Sequence, residues 1–192
     1  RQMPNAIHAA GADLDADEII RLDYLVEDDA HTLLDALTRN LGVESNEQTR
    51  DLIVQQVHGS PFFLAALAQA AREKRASLTS FLECQRLYVD ELLGGRIHRH
   101  FAGLLNQVSP QAQTRRTLVR VLYESALSET RKASVWTWKK RLGVEGSEFE
   151  RIVEALHAHE LANSSGATIE LNSEPPVWMD YLHAQYQLEV TG

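Results

Sequence analysis

The chain has 192 residues, room for one large or two small domains, and its 44% hydrophobic content is that of an ordinary globular protein. A net charge of −8 and a pI near 5.5 argue against a general polyanion binder and for a cytoplasmic protein. The single Cys84 cannot form an internal disulfide, no apolar run approaches the roughly 18 residues of a bilayer span, and the N-terminus lacks a signal-peptide pattern.

Residues 1–17 show no sustained periodicity and read as loop. Glu18 to Leu22 has the look of a strand with no partner in the chain, so its backbone groups would need a neighbour. The chain opens on Arg1, and a piece cut from a longer protein is expected. Over 26–40, Ala30, Leu33, Leu34 and Leu37 recur at helical spacing, with Glu27, Asp28 and Asp29 in the first turn, where the helix dipole favours acids.

Ser45-Asn46-Glu47-Gln48 has capping-box spacing and opens a second helix to about Val57. The stretch Val57-His58-Gly59-Ser60-Pro61-Phe62-Phe63-Leu64 then carries the strongest local signal. Gly59 can end a helix with positive φ, Ser60 can cap the next one, and Pro61 suits its first position, where no N–H is needed. Phe62 to Ala71 is apolar almost all round, which predicts a buried helix over 61–74. A fourth helix runs from Thr79 to about Leu92 and stops at Gly94-Gly95. Four helices with short turns predict a compact bundle.

Residues 96–108 form a connecting helix with Ile97, Phe101, Leu104, Leu105 and Val108 on one face. Ser109-Pro110 breaks it, and a domain boundary is placed there. Helices are expected over 112–127, 131–141 and from a capping box at Ser147-Glu148-Phe149-Glu150. Leu161-Ala162-Asn163 and Thr168-Ile169-Glu170-Leu171, joined through Ser164-Ser165-Gly166, read as a hairpin. Three helices and a hairpin are the order of a winged helix, a relative of the helix-turn-helix. Pro175-Pro176 opens a last helix through Tyr186. The expected fold is therefore mainly α, a helical bundle over 26–108 followed by a winged-helix domain over 109–192.

Little in the sequence points to chemistry. There is no Gly-x-x-x-x-Gly-Lys-Ser/Thr and no Gly-x-Gly-x-x-Gly, so the usual phosphate cradle is missing. His98-Arg99-His100 and His157-Ala158-His159 are spaced two apart, which on a helix aims the rings in different directions and disfavours a shared metal. No nucleophile elbow supports a hydrolase. The third helix of the winged-helix pattern carries Glu148, Glu150, Glu154 and Glu160 against Arg151, a poor match for phosphates. Arg131, Lys132, Lys139, Lys140 and Arg141 gather instead around the second helix, with Trp136 and Trp138. That cluster reads first as a solvated face and second as a docking surface for an acidic partner, or a non-specific nucleic-acid contact. Of the two tryptophans, which point to different sides, one is expected in the core.

The order of strand, acidic helix start, amphipathic helix and helix–Gly-x-Pro–helix resembles the lid that follows the nucleotide-binding core in AAA+ and STAND-type ATPases. The likeness covers about residues 1–95. Lid followed by winged helix is also the order in STAND ATPases and archaeal-type AAA+ ATPases. The resemblance implies that residues 1–25 are the remnant of an ATPase core. It implies too that Gly59, Ser60 and Pro61 line the adenine side of ATP or ADP, with Mg, in the full-length protein, and that the piece alone neither catalyses nor binds a cofactor. Its first partner would be its own ATPase core. STAND ATPases often carry Met-His-Asp after the wing; here Met179-Asp180 lack the histidine, so no phosphate-sensing role follows, and Asp180 is expected to cap a helix or pair with a cation. Two further readings are a free-standing winged-helix DNA-binding regulator and an interaction module that oligomerises through the bundle or an exposed Trp face.

Overall fold

The computed structural model of the protein describes residues 24–128, 130–172 and 176–191; the loop expected over 1–17 and the strand over 18–22 lie outside them. Helix α1 (Glu27–Leu41) buries Ala30, Leu34 and Thr38 and ends at Gly42 in the left-handed conformation. In α2 (Glu47–Gln56) the N-cap is Asn46, whose Oδ1 accepts from the Thr49 backbone N–H at 2.9 Å, while Thr49 Oγ1 accepts from the Asn46 N–H at 3.4 Å. The capping box expected from Ser45 thus falls one residue later, with Thr49 as its reciprocal partner. The Thr49 hydroxyl also donates to the Leu78 carbonyl, which ties α2 to the loop before the fourth helix.

Helix α3 (Pro61–Lys74) is the centre of the first half: Phe63, Leu64, Ala66, Leu67, Ala68, Ala70 and Ala71 are buried. The all-round burial read from sequence fails at Phe62, which is 45% exposed. Helix α4 (Phe81–Gly94) begins two residues later than expected, after Ser80. Helix α5 (Arg96–Val108) follows through Gly95, and the buried Glu91 carboxylate folds over that glycine to accept from the Arg96 N–H at 2.5 Å. A Cβ at residue 95 would collide with this carboxylate, so glycine is what lets an acid cap the positive end of α5.

The second half comprises α6 (Ala112–Leu127), β1 (Lys132–Ser134), α7 (Val135–Leu142), α8 (Gly146–Ala158), β2 (Ala162–Ser165), β3 (Thr168–Leu171) and α9 (Pro176–Thr191). The three strands form one antiparallel sheet in the order β1-β3-β2. β1 was expected as the start of a helix. It is drawn into the sheet by pairing Lys132 with Glu170 and Ser134 with Thr168, and Ser134 then caps α7 by accepting from the Thr137 N–H at 3.0 Å. β2 and β3 turn through Gly166 and Ala167, with Gly166 at φ +58°. The capping box expected at Ser147 does not form: α8 starts at Gly146, where φ is +58°, and its cap position is held by Glu145 without a side-chain bond. Helix α9 extends beyond the expected Tyr186.

The buried apolar side chains make one continuous cluster from Ala30 to Leu182. An aromatic line crosses Ser109: Phe63 of α3 lies 5.6 Å from Phe101 of α5, which lies 5.1 Å from Trp178 and 5.0 Å from Tyr181 of α9. The protein is therefore mainly helical with one small antiparallel sheet. The element pattern changes at Ser109-Pro110, but packing continues across it.

Candidate functional site

The corner between α2 and α3 is built by two consecutive left-handed residues, His58 at φ +52° and Gly59 at +65°. The Gly59 N–H donates to the Val54 carbonyl at 3.0 Å and closes α2, and the Ser60 N–H donates to Val57 at 3.1 Å. The Gly59 carbonyl is used as well, accepting from the Leu25 N–H at 3.1 Å. A Cβ on Gly59 would stand 2.5 Å from the Leu25 carbonyl oxygen, so the backbone ahead of α1 is seated directly on this corner.

These contacts decide what Gly59, Ser60 and Pro61 can offer a ligand. Gly59 and Ser60 are buried, and both backbone polar groups of Gly59 are engaged inside the protein. Pro61, at the first position of α3, is half-buried and is the member of the three that reaches the surface. Around it the structure adds groups that sequence reasoning passed over. His58 is exposed, and its ring meets Tyr24 edge-on at 5.4 Å. Phe62 lies 4.8 Å from the His100 ring. The corner thus presents proline, imidazole and aromatic surfaces, of the kind that can stack on a flat ring. The signal for Phe62 and His58 was their adjacency to Pro61. For Tyr24 and His100 no local pattern could have found them, because the corner gathers them from distant segments.

Among the described residues no comparable seat is seen for the phosphate end of a nucleotide. The chain lacks a phosphate-cradling loop, and among the described residues no group of three or more His, Cys, Asp and Glu could hold a metal ion. The corner therefore offers ring surfaces beside Pro61, with no metal-holding group among the described residues.

The basic residues named from sequence are dispersed by their partners. Lys132 pairs with Glu170 at 3.2 Å across the sheet, and Arg141 pairs with Glu124. Lys139 lies over the Phe149 ring at 5.0 Å and Lys140 over Trp136 at 5.1 Å. Arg131 sits at φ +52° ahead of β1, its carbonyl accepting from the Leu171 N–H at 3.0 Å. The two tryptophans divide as their spacing suggested: Trp138 is fully buried and donates to Ser125 Oγ at 3.3 Å, while Trp136 is 69% exposed.

A groove of about 600 Å³ runs between α4 and α9, lined among others by Tyr88, Val89, Leu93, Asp180 and Leu188. Asp180 lies in the second turn of α9 and accepts from the Tyr88 hydroxyl at 2.8 Å; neither the expected cap nor a cation partner is seen for it among the described residues. Burial and the adjacent Asp180 carboxylate push the Tyr88 phenol well above its ordinary range. His98 is within 3.4 Å of Gln185 Nε2, and His157 within 3.1 Å of Asn163 Oδ1. No described helix is long and apolar enough to cross a membrane. No protein-family model, curated protein or solved structure matches this chain.

Proposed function

We propose that the chain is the lid and winged-helix portion of a nucleotide-dependent STAND- or AAA+-like ATPase switch in the cytoplasm, acting with an ATPase core and not catalytic alone. The observation that carries this reading is the α2–α3 corner, where Pro61 stands half-buried at the start of α3, with the exposed His58 and Phe62 on either side of the corner in sequence. A corner of that kind serves as a lip over a base whose phosphates and Mg are held elsewhere. Support for the winged-helix reading comes from the order α6, β1, α7, α8, β2, β3 and the sheet order β1-β3-β2. The aromatic line from Phe63 through Phe101 to Trp178 offers a physical route by which a movement of the lid reaches the second half.

The decisive experiment reads the encoded sequence upstream of Arg1. A strand followed by Gly-x-x-x-x-Gly-Lys-Ser/Thr, with an acidic strand later, is the expected result; a start codon a few residues before Arg1 overturns the proposal. Calorimetry on the chain alone supplies an independent check. No measurable ATP or ADP binding is expected, and micromolar affinity contradicts the reading.

DNA binding by the same domain is disfavoured by the surface of α8, where Glu150 and Glu154 are exposed beside Arg151. Retention of random duplex in a gel shift, weakening steeply with salt, would reverse that preference.

A further inference from the structure

Helix α4 is apolar on two opposite sides. Cys84, Leu87, Tyr88 and Leu92 face the core, whereas Leu82, Val89 and Leu93 lie on the other side and are 74%, 46% and 42% exposed. Leu188 of α9, 51% exposed, borders the same patch across the groove. Solvent-facing helix positions are ordinarily polar, so a run of three aliphatics there marks a surface meant to be covered.

We propose that this face binds the same face of a second copy, as an antiparallel two-fold pair of α4 helices. The spacing is the first reason. Leu82, Arg86, Val89 and Leu93 follow one another at steps of four, three and four residues, a sequence of steps that reads the same in both directions. Two such stripes laid antiparallel place Leu82 on Leu93 of the other copy and Val89 beside the Arg86 stem, and repeat both contacts through the two-fold axis. Charge is the second reason. In that register each Arg86 flanks Asp90 of the other copy, one turn along the helix and at the edge of the stripe. Asp90 is already steadied by Lys74 at 2.6 Å, and a carboxylate accepts from two cations. Lys74, Glu83, Arg86 and Asp90 line one concavity beside the stripe, two cations and two acids summing to zero. Two copies can therefore approach here although each chain carries a net charge of −8. This inference does not depend on the proposed nucleotide switch.

The test uses the whole chain in analytical ultracentrifugation over a concentration series. A patch this small predicts a weak dimer, with a Kd on the order of 10–100 μM. Leu82→Glu should weaken it at least about tenfold. Arg86→Glu and Asp90→Arg should each weaken it by about tenfold, because each puts two like-charge contacts across the axis. Mixed in equal amounts, those two variants should recover the wild-type Kd as a heterodimer, since every flanking pair is then again of opposite charge. Circular dichroism of each surface variant checks that its fold is retained. A wild-type chain that stays monomeric at about 1 mM overturns the proposal and leaves the stripe to a different protein. A dimer unaffected by Leu82→Glu, or a mixture that fails to recover, overturns it equally.

Discussion

Between α1 and α4 the interior is filled mostly by small and aliphatic groups, with Ala66, Ala68, Ala70 and Ala71 of α3 all buried against their neighbours. Between α6 and α9 the largely aliphatic interior also takes in large rings that carry polar atoms: Trp138 donates to Ser125, and the Tyr123 hydroxyl lies 2.7 Å from His183 Nδ1. The first half owes its geometry to close approach of backbones, which tolerates deletions of volume better than additions. The second adds oriented ring N–H and O–H groups such as those of Trp138 and Tyr123, and there a lost hydrogen bond adds to the cost of lost volume.

The largest effect should come from adding one methyl group where the backbones meet. Gly59→Ala must carry a left-handed residue and displace the Leu25 carbonyl, and we expect a loss of about 3 kcal/mol, seen as a drop in Tm of roughly 6–12 °C. Gly143→Ala is the matched control: φ is +67° there too, but nothing lies within 4 Å of the added Cβ. It should cost only about 1 kcal/mol. Equal losses at the two positions would remove close approach from the account of the first half.

Ala68→Leu, at a position with no exposure, should follow with a loss of about 1–3 kcal/mol by urea unfolding. In the second half the sharpest comparison is between two fully buried tryptophans. Trp138→Phe removes a ring and a hydrogen bond and strands Ser125 Oγ, which keeps only its bond to the Val121 carbonyl at 2.7 Å. Trp178 Nε1 has no hydrogen-bond partner among the described residues, so Trp178→Phe gives up no such bond. We expect Trp138→Phe to be the more costly by about 1 kcal/mol, and the reverse order would refute the role given to oriented polar atoms.

Much of the architecture was legible because helices announce themselves by spacing. Ala112–Leu127 and Arg96–Val108 fall where their apolar stripes put them. What escaped was set by partners remote in the chain. β1 is a strand only because β3 pairs with Lys132, Ala133 and Ser134 from the far side of α8, and three residues carry no periodicity of their own. At the candidate site, Gly59-Ser60-Pro61 was readable as a corner, since glycine and proline act locally. That Gly59 would be sealed by Leu25, with His58 and Phe62 exposed and Pro61 half-buried around it, depended on a contact across more than thirty residues.

Alkaline titration probes the junction of the two halves. Burial raises the Tyr181 phenol from 10.0 to about 12, and Tyr88 is raised still further in sense. A folded-state pKa above the unfolded one gives stability that is complete below pH 10 and lost as pH rises through the folded value. Stability should therefore begin to fall above about pH 10, and Tyr88→Phe should flatten that fall. A fall of unchanged steepness in Tyr88→Phe would exclude this tyrosine as its source.

The smallest effect is expected at Cys84, which is 3% exposed and whose thiol is pushed up by burial. A colorimetric disulfide reagent at pH 8 should leave it unmodified in the native protein and titrate it fully in urea. Rapid native reaction would show that α4 opens readily from the core.

The hydrogen bond from Leu25 to Gly59 also makes the molecule a mechanical device at its leading edge. Tension applied along the backbone at Tyr24 loads the turn between α2 and α3 first, before any helix of the second half feels it. The edge-on contact of Tyr24 with His58 lies beside that bond and is loaded with it. The start of α1 and the α2–α3 turn are thus fastened to each other by backbone, and load on one is load on the other.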